Sequence, residues 1–255
     1  MREIFCFVKM QRGIIEYKMS KNIIKDVRAK VYTWTGDIQK IHGNFCTNAA
    51  DILNNESTSS DNMSTFKFLS WLVVEIETSD GILGIGNAAL APKPCKSVID
   101  NYLKNSLIGE SIWDYEHLWQ KMYRETLAWG RKGVGMVAIS AIDIAIWDAL
   151  GKAAKQPVYK LLGGQTKSKL PCYASKLYSQ PLDNLADEAK LYLDQGFKAM
   201  KLRFGWGPKD GAEGMQKNIE LIKTVRSVVG ENVDLMADVY MGWTFEYAKR
   251  MMRLI

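Results

Sequence analysis

The stretch from Gly196 to Trp243 constrains the fold more than any other part of the chain. Ala199–Gly205 is a compact strand-like run, and Met215–Val229 carries apolar residues at helical spacing. Gly230 follows the last apolar position of that helix, as a C-terminal glycine commonly does. A second strand-like run, Val233–Val239, ends the stretch. Strand, helix and strand in this order predict a βαβ unit with two parallel strands.

Three charged side chains stand near the ends of these two predicted strands. Lys201 and Arg203 are two residues apart, and residues i and i+2 of a strand point to the same face. Asp238 lies at the end of the second strand. Ligands of parallel sheets bind beyond the carboxyl ends of the strands, so the three side chains together predict a site. The competing interpretation is that each is a solvated or ion-paired charge.

The first part of the chain has the pattern of an antiparallel sheet followed by helices. Lys25–Trp34, Phe66–Thr78 and Ile82–Ala89 are strand-like runs, and a tight turn signal separates the last two. Within the second run, Leu72, Val74 and Ile76 fall on one face of the strand, and Trp71, Val73, Glu75 and Glu77 fall on the other, which indicates a sheet with one buried face. We predict a three-stranded meander with helices packed on it.

One predicted helix, Val134–Leu150, is apolar on almost every side. It is shorter than a membrane span and is interrupted by Asp143 and Asp148, so we predict a buried core helix. For the two aspartates we predict structural partners rather than catalytic roles.

The domain limits follow from breaks in these patterns. Residues 1–24 are expected to be a disordered N-terminal extension. The glycine pair and polar residues after Leu162 mark a boundary, which gives predicted domains at 25–166 and 167–255. In the second domain, a strand at Leu170–Tyr178 and a helix at Pro181–Gln195 precede the βαβ unit.

Composition limits the classes of function. The four cysteines are scattered without a CxxC spacing, which argues against a zinc site and indicates a reducing, cytoplasmic compartment. The formal charge of +6 suits a small anionic substrate. Without a stacked aromatic–basic motif, we expect no nucleic-acid partner, and we expect no membrane span.

The residues from Thr35 to Thr65 form a polar stretch that is long for a connection inside a compact domain. Such loops are either functional lids or solvated segments. His42 lies within this stretch. We favour the interpretation that His42 is a solvated loop histidine over the interpretation that it belongs to a lid.

The motifs together resemble the mandelate racemase and muconate lactonizing enzyme branch of the enolase superfamily. The resemblance is carried by Ala138–Gly164, by the KLR at Lys201–Arg203 and by Asp234–Trp243. Phe204–Gly214 is similar to the acid-sugar dehydratases of that branch, rhamnonate dehydratase-like ones in particular. The resemblance implies an α+β capping domain at 25–166, followed by an α/β part that forms a partial TIM barrel of about three strands.

The resemblance also implies a mechanism. Members of the branch remove the proton α to a carboxylate, with the enolate stabilised by Mg²⁺ held by carboxylates at the ends of successive strands. Loss of a β-hydroxyl then gives a 2-keto-3-deoxy acid. By this resemblance, Lys201 is a base or an electrostatic stabiliser, Arg203 binds the substrate carboxylate, and Asp238 is the first metal ligand. His42 and Trp206 are expected to contact the sugar acid, and the completed enzyme is expected to be a homo-oligomer.

The sequence departs from this pattern after Asp238. Leu170 to Ile255 provides about three strands, whereas a closed barrel has eight, and neither further metal carboxylates nor a histidine base has a candidate there. We therefore expect the N-terminal part of such an enzyme, inactive alone. The alternatives are a non-catalytic interaction module and a racemase or epimerase of the same branch, with a nucleic-acid binder third.

Overall fold

The computed structural model describes residues 7–11, 14–18, 22–35, 47, 49 and 70–255. These residues divide into two compact units. The first contains the described residues up to Trp34 and those from 70 to Thr166. The second contains Lys167–Ile255 and, from the earlier part of the chain, residues 35, 47 and 49. His42 lies outside the described residues.

An N-terminal hairpin is a feature that the sequence patterns did not predict. Strands β1 (Phe7–Gln11) and β2 (Ile14–Lys18) pair antiparallel, with Gln11 opposite Ile14. They lie within residues 1–24, where we expected a disordered extension. The next strand begins at Ile24, which is buried in the core of the first unit.

The first unit is built on a three-stranded antiparallel sheet in the order β3–β4–β5, as predicted. Its strands are β3 (Ile24–Thr33), β4 (Ser70–Thr78) and β5 (Leu83–Ala88). On β4 every second side chain is fully buried, which is the predicted alternation; these residues are Leu72, Val74 and Ile76.

Helices cover the buried face of this sheet. A continuous helical stretch comes first, and a short helical turn, two longer helices and a final short helix follow. Their bounds are α1 (Pro92–Val98), a π-helical segment (Ile99–Leu103), α2 (Lys104–Leu107), a 3₁₀ turn (Ile112–Asp114), α3 (Tyr115–Glu125), α4 (Val134–Ala154) and α5 (Val158–Leu161).

Helix α4 lies directly on β5 because both surfaces carry small residues. A Cβ atom on Gly86 would collide with the carbonyl oxygen of Ala141, and one on Gly84 would collide with that of Ala145. By length and composition α4 could cross a membrane. Side chains such as Ile142 are fully buried in the first unit, which confirms the prediction of a core helix.

The two aspartates of α4 have different environments. Asp148 accepts hydrogen bonds from the Ile85 backbone N–H at 2.7 Å and from Lys152 Nζ at 2.6 Å, so its predicted structural role is confirmed. Asp143 is half-buried and near Glu116, and burial followed by this second acid raises the pKa of Asp143. Among the described residues Asp143 has no hydrogen-bond or cationic partner, so a partner role for this residue stays a prediction.

The second unit contains the predicted βαβ arrangement. Strands β6 (Ala199–Arg203) and β7 (Asp234–Asp238) are parallel, with Arg203 paired to Asp238 in the register. The remaining elements are α6 (Leu182–Asp194), a 3₁₀ turn (Pro208–Asp210), α7 (Gly211–Val229) and α8 (Phe245–Met251). Gly230 ends α7 with φ of 70°, which confirms the predicted helix end.

The strand predicted at Leu170–Tyr178 is reduced to a single parallel bridge between Ala174 and Met200. Ala174 N–H donates to Ala199 O, and Arg203 N–H donates to Leu177 O, so the segment still runs beside β6. Leu177 has φ of 47°, a left-handed conformation that a regular strand cannot contain. The described parallel sheet therefore has two named strands and one adjacent segment.

Candidate active site

The parallel pairing of β6 and β7 brings the three predicted charges to one edge. Lys201 Nζ lies 3.0 Å from Asp238 Oδ2, and Arg203 Nη1 lies 3.6 Å from the same oxygen. The proximity predicted from strand ends is therefore present, while the roles of the three residues stay predictions. We call Lys201, Arg203 and Asp238 the charged triad.

The Asp238 carboxylate is held in its charged form. Partial burial would raise its pKa, but the Tyr240 backbone N–H, which donates to Oδ1 at 3.0 Å, acts in the opposite direction together with Lys201 and Arg203. The result is a pKa below the ordinary aspartate value. One carboxylate thus faces two cations, and the triad carries a net positive charge.

Aromatic rings surround the two cations. Arg203 Cζ lies 4.8 Å from the centre of the Tyr178 ring and 5.6 Å from that of Tyr240. Lys201 Nζ lies 5.6 Å from the centre of the Tyr173 ring. These are cation–π distances. Sequence reasoning missed all three tyrosines, although Tyr240 follows Asp238 by two residues and was the easiest to find.

The backbone beside the triad is unusual. Leu177, Tyr240 and Met241 have φ values of 47°, 41° and 62°, in the left-handed region that non-glycine residues rarely adopt. Leu177 immediately precedes Tyr178, and the other two residues follow β7. Such conformations persist where surrounding contacts hold them in place, and they cluster at functional sites.

The loop after β6 is fixed by a buried polar network. The Asn218 side chain accepts from the Trp206 backbone N–H at 3.3 Å and donates to the Trp206 carbonyl oxygen at 3.0 Å. Trp243 Nε1 donates to the same carbonyl at 2.8 Å. The Trp206 ring lies 5.6 Å from Lys217 Nζ, measured to the ring centre. Substrate contact by Trp206 stays a prediction, as it does for His42, which is outside the described residues.

Thr47 joins the second unit at this loop. Its backbone N–H donates to the Phe204 carbonyl oxygen at 2.8 Å. Its side chain is fully buried, and Oγ1 has no hydrogen-bond partner among the residues the structure describes. Nothing in the sequence pattern singled out this residue, because the polar stretch around it has no period.

The described residues do not by themselves fit a magnesium ion. Within the described ranges, no group of three or more His, Cys, Asp or Glu side chains could hold a metal. Asp238 supplies an oxygen ligand of the kind that Mg²⁺ prefers, but Lys201 and Arg203 already neutralise it. The charged triad alone is better suited to an anion.

Two family sequence models match the chain. Residues 53–163 match the N-terminal domain of the mandelate racemase and muconate lactonizing enzymes. Residues 184–255 match the enolase C-terminal domain-like family. The N-terminal match precedes the C-terminal match along the chain, as the first structural unit precedes the second.

Named relatives point the same way. The chain is 40% identical to an arabinonate dehydratase from Saccharolobus solfataricus, with 71% of this chain and 48% of that protein aligned. It is 39% identical to an L-rhamnonate dehydratase from Saccharopolyspora erythraea, with 72% of this chain and 44% of that protein aligned. The chain thus spans about half the length of these relatives.

Solved structures agree with the sequence comparison. The crystal structure of L-rhamnonate dehydratase from Gibberella zeae has a TM-score of 0.76 and 28% identity, covering 92% of this chain and 56% of that one. The crystal structure of rhamnonate dehydratase from Gibberella zeae complexed with Mg has a TM-score of 0.74 at 27% identity, covering 92% of this chain and 57% of that one. With both sequence-model matches and the fold in agreement, the chain belongs to the mandelate racemase and muconate lactonizing enzyme branch of the enolase superfamily.

Proposed function

We propose that this chain carries part of the active site of an acid-sugar dehydratase. The observation that carries the proposal is the convergence of Lys201, Arg203 and Asp238 at one edge of the parallel sheet, with both cations within 3.6 Å of one carboxylate oxygen. The names of the relatives support the reaction class, since both act on sugar acids by name.

The proposed reaction removes the proton α to the carboxylate of an aldonic acid and expels the β-hydroxyl as water. The resulting enol tautomerises to a 2-keto-3-deoxy acid. Arg203 would bind the substrate carboxylate through its guanidinium N–H groups, because a guanidinium matches carboxylate geometry. That contact would place the α-carbon beside Lys201.

Lys201 has two possible roles, and the geometry favours one of them. An ammonium group that is ion-paired to a carboxylate at 3.0 Å has no lone pair to accept a proton. In this arrangement Lys201 would stabilise negative charge that develops on the substrate. A role as base would require the Asp238 carboxylate to be engaged elsewhere, as it would be if it bound Mg²⁺ in the whole protein.

We also propose that the whole protein depends on Mg²⁺, with Asp238 as one ligand. The support is the magnesium complex of the Gibberella zeae enzyme and the oxygen chemistry of the aspartate. The remaining ligands would have to come from outside the described residues. A cytoplasmic location and a homo-oligomeric state are part of the same proposal.

The experiment joins this chain after Ile255 to the remaining part of the Saccharolobus solfataricus arabinonate dehydratase. The joined protein is incubated with a panel of aldonic acids and MgCl₂, and 2-keto-3-deoxy product is measured. We expect product from at least one aldonate and none after EDTA treatment. A folded joined protein that gives no product with any aldonate would contradict the proposal, and racemised substrate would favour a racemase instead.

A further inference from the structure

We propose that Tyr178 and Tyr240 are positioning residues that orient the Arg203 guanidinium to receive the carboxylate of a ligand. This inference rests on the proposed function, because it concerns the same site and the same sugar-acid class. It adds two residues to that site, neither of which the sequence analysis assigned a role.

The first argument is that the Arg203 side chain is mostly buried yet makes no hydrogen bond to the described residues. Only 15% of the side chain is exposed. Its Nη1 lies 3.6 Å from Asp238 Oδ2, which is an ion pair beyond hydrogen-bond length. Nε is fully buried and has no partner within the part of the chain that the structure describes. Buried polar groups are normally hydrogen-bonded, so unused guanidinium donors indicate a missing acceptor.

The second argument concerns the rings. Tyr178 and Tyr240 lie at cation–π distance from Arg203 Cζ, at 4.8 and 5.6 Å from the ring centres. An arginine held against aromatic rings loses rotamer freedom before it binds. A guanidinium that is already oriented pays less entropy when a planar carboxylate docks on it.

The third argument concerns the backbone that carries the rings. Tyr240 itself has φ of 41°, and Leu177, which precedes Tyr178, has φ of 47°. The Tyr240 N–H is also bonded to the Asp238 carboxylate at 3.0 Å. Two uncommon backbone conformations that both place a ring at the same guanidinium are better explained by orientation of Arg203 than by chance packing.

The fourth argument is the distribution of charge. Lys201 is 0.6 Å closer than Arg203 to the shared oxygen of Asp238, at 3.0 against 3.6 Å. The positive charge of Arg203 is therefore compensated less fully than that of Lys201. The carboxylate of an aldonate would supply the additional negative charge beside Arg203.

The test uses the 255-residue chain labelled with ¹⁵N-arginine and follows the Arg203 Nε–Hε signal by NMR. Arg203→Lys assigns the signal by its loss. In the free chain we expect an upfield, slowly exchanging Hε, because the atom is buried beside rings. Titration with sodium gluconate should then move the signal saturably, whereas sorbitol, which has the hydroxyls without the carboxylate, and sodium chloride should not.

The variants distinguish the contribution of the aromatic ring from that of the hydroxyl group. Tyr178→Leu and Tyr240→Leu should each weaken gluconate binding by about tenfold, while Tyr178→Phe and Tyr240→Phe should stay within about twofold of the parent. Tyr192→Leu, which removes a ring packed on Phe197 in the same unit, serves as the matched control and should bind like the parent.

Three outcomes would overturn the inference in different ways. Gluconate binding that needs Arg203 but is unchanged in both leucine variants would remove the positioning role and leave the proposed function intact. A parent chain in which gluconate does not move the signal would remove the carboxylate role of Arg203 as well. If a leucine variant does not fold, the free-chain spectrum decides, since an Hε at the random-coil position with fast exchange would contradict the orientation.

Discussion

Lys201 and Asp238 stand on neighbouring parallel strands, and Nζ of the lysine lies 3.0 Å from Oδ2 of the aspartate. Because β7 returns beside β6 after helix α7, residues 37 positions apart become partners at one edge of the sheet. The pair links the fold of the second unit to its chemistry, since the same carboxylate ties the strands together and compensates both cations.

Replacing Asp238 should reduce stability in a pH-dependent way. The pKa of Asp238 is lowered in the folded chain, so its contribution is present above the ordinary value of 3.8 and is lost as the pH falls through the folded pKa. Asp238→Asn should therefore cost about 1–3 kcal/mol at pH 7, with a smaller difference near pH 3, measured by urea unfolding.

The control for this prediction is Asp194→Asn, which breaks the exposed pair with Lys190 and should have little effect at either pH. A difference between the Asp238 variant and the parent that stays constant from pH 3 to 7 would contradict the assignment.

Replacing Asp143 should have the opposite sign. Its pKa is raised by burial and then by Glu116, so the charged form is disfavoured in the folded chain at pH values above the raised pKa. Asp143→Asn should raise the melting temperature at pH 7 and leave it unchanged near pH 3. Asp148→Asn should instead lower it at pH 7, because Asp148 accepts from Ile85 N–H and Lys152. A lower melting temperature for Asp143→Asn at pH 7 would contradict this prediction, because it would mean that a stabilising partner binds the Asp143 carboxylate.

The contact of α4 with β5 should tolerate no added methyl group. Gly86→Ala would push a Cβ into the Ala141 carbonyl oxygen, which cannot move without displacing the helix. We expect a loss of about 1–3 kcal/mol or more in the free energy of unfolding. Asn87→Ala, at an exposed neighbouring position, should change stability by less than about 0.5 kcal/mol. Equal stability of the two variants would mean that helix and strand are not in such close contact.

Magnesium should bind this chain weakly. The described residues provide one carboxylate at the edge, and two cations already neutralise it. We expect millimolar MgCl₂ to leave the melting temperature unchanged relative to NaCl of equal ionic strength, and we expect the chain alone to form no 2-keto-3-deoxy product. A specific rise in melting temperature with MgCl₂, or turnover by the chain alone, would contradict this prediction.

The sequence predicted the parts of the fold that depend on local periodicity. The alternation in β4 and the apolar character of α4 placed the meander and its core helix. The βαβ unit followed from the helical spacing before Gly230. The strand at Leu170–Tyr178 was over-predicted because its composition does not reveal the left-handed backbone at Leu177, which depends on tertiary contacts.

The candidate site was predictable only in its charges. Strand ends placed Lys201, Arg203 and Asp238 together, because parallel strands end at one edge. The tyrosine rings were missed, since Tyr178 and Tyr240 stand on separate segments whose side chains meet the guanidinium only after folding. Asn218 escaped notice for the same reason, as its partner is a backbone twelve residues away.

The most direct test of this account is the rate of 2-keto-3-deoxy acid formation by the joined protein and its variants. We expect Lys201→Met and Asp238→Asn each to lower that rate by at least about a hundredfold. Lys198→Met, at an exposed position immediately before β6, should leave the rate unchanged. A parent-like rate in either the Lys201 or the Asp238 variant would contradict the claim that these two side chains form one catalytic edge.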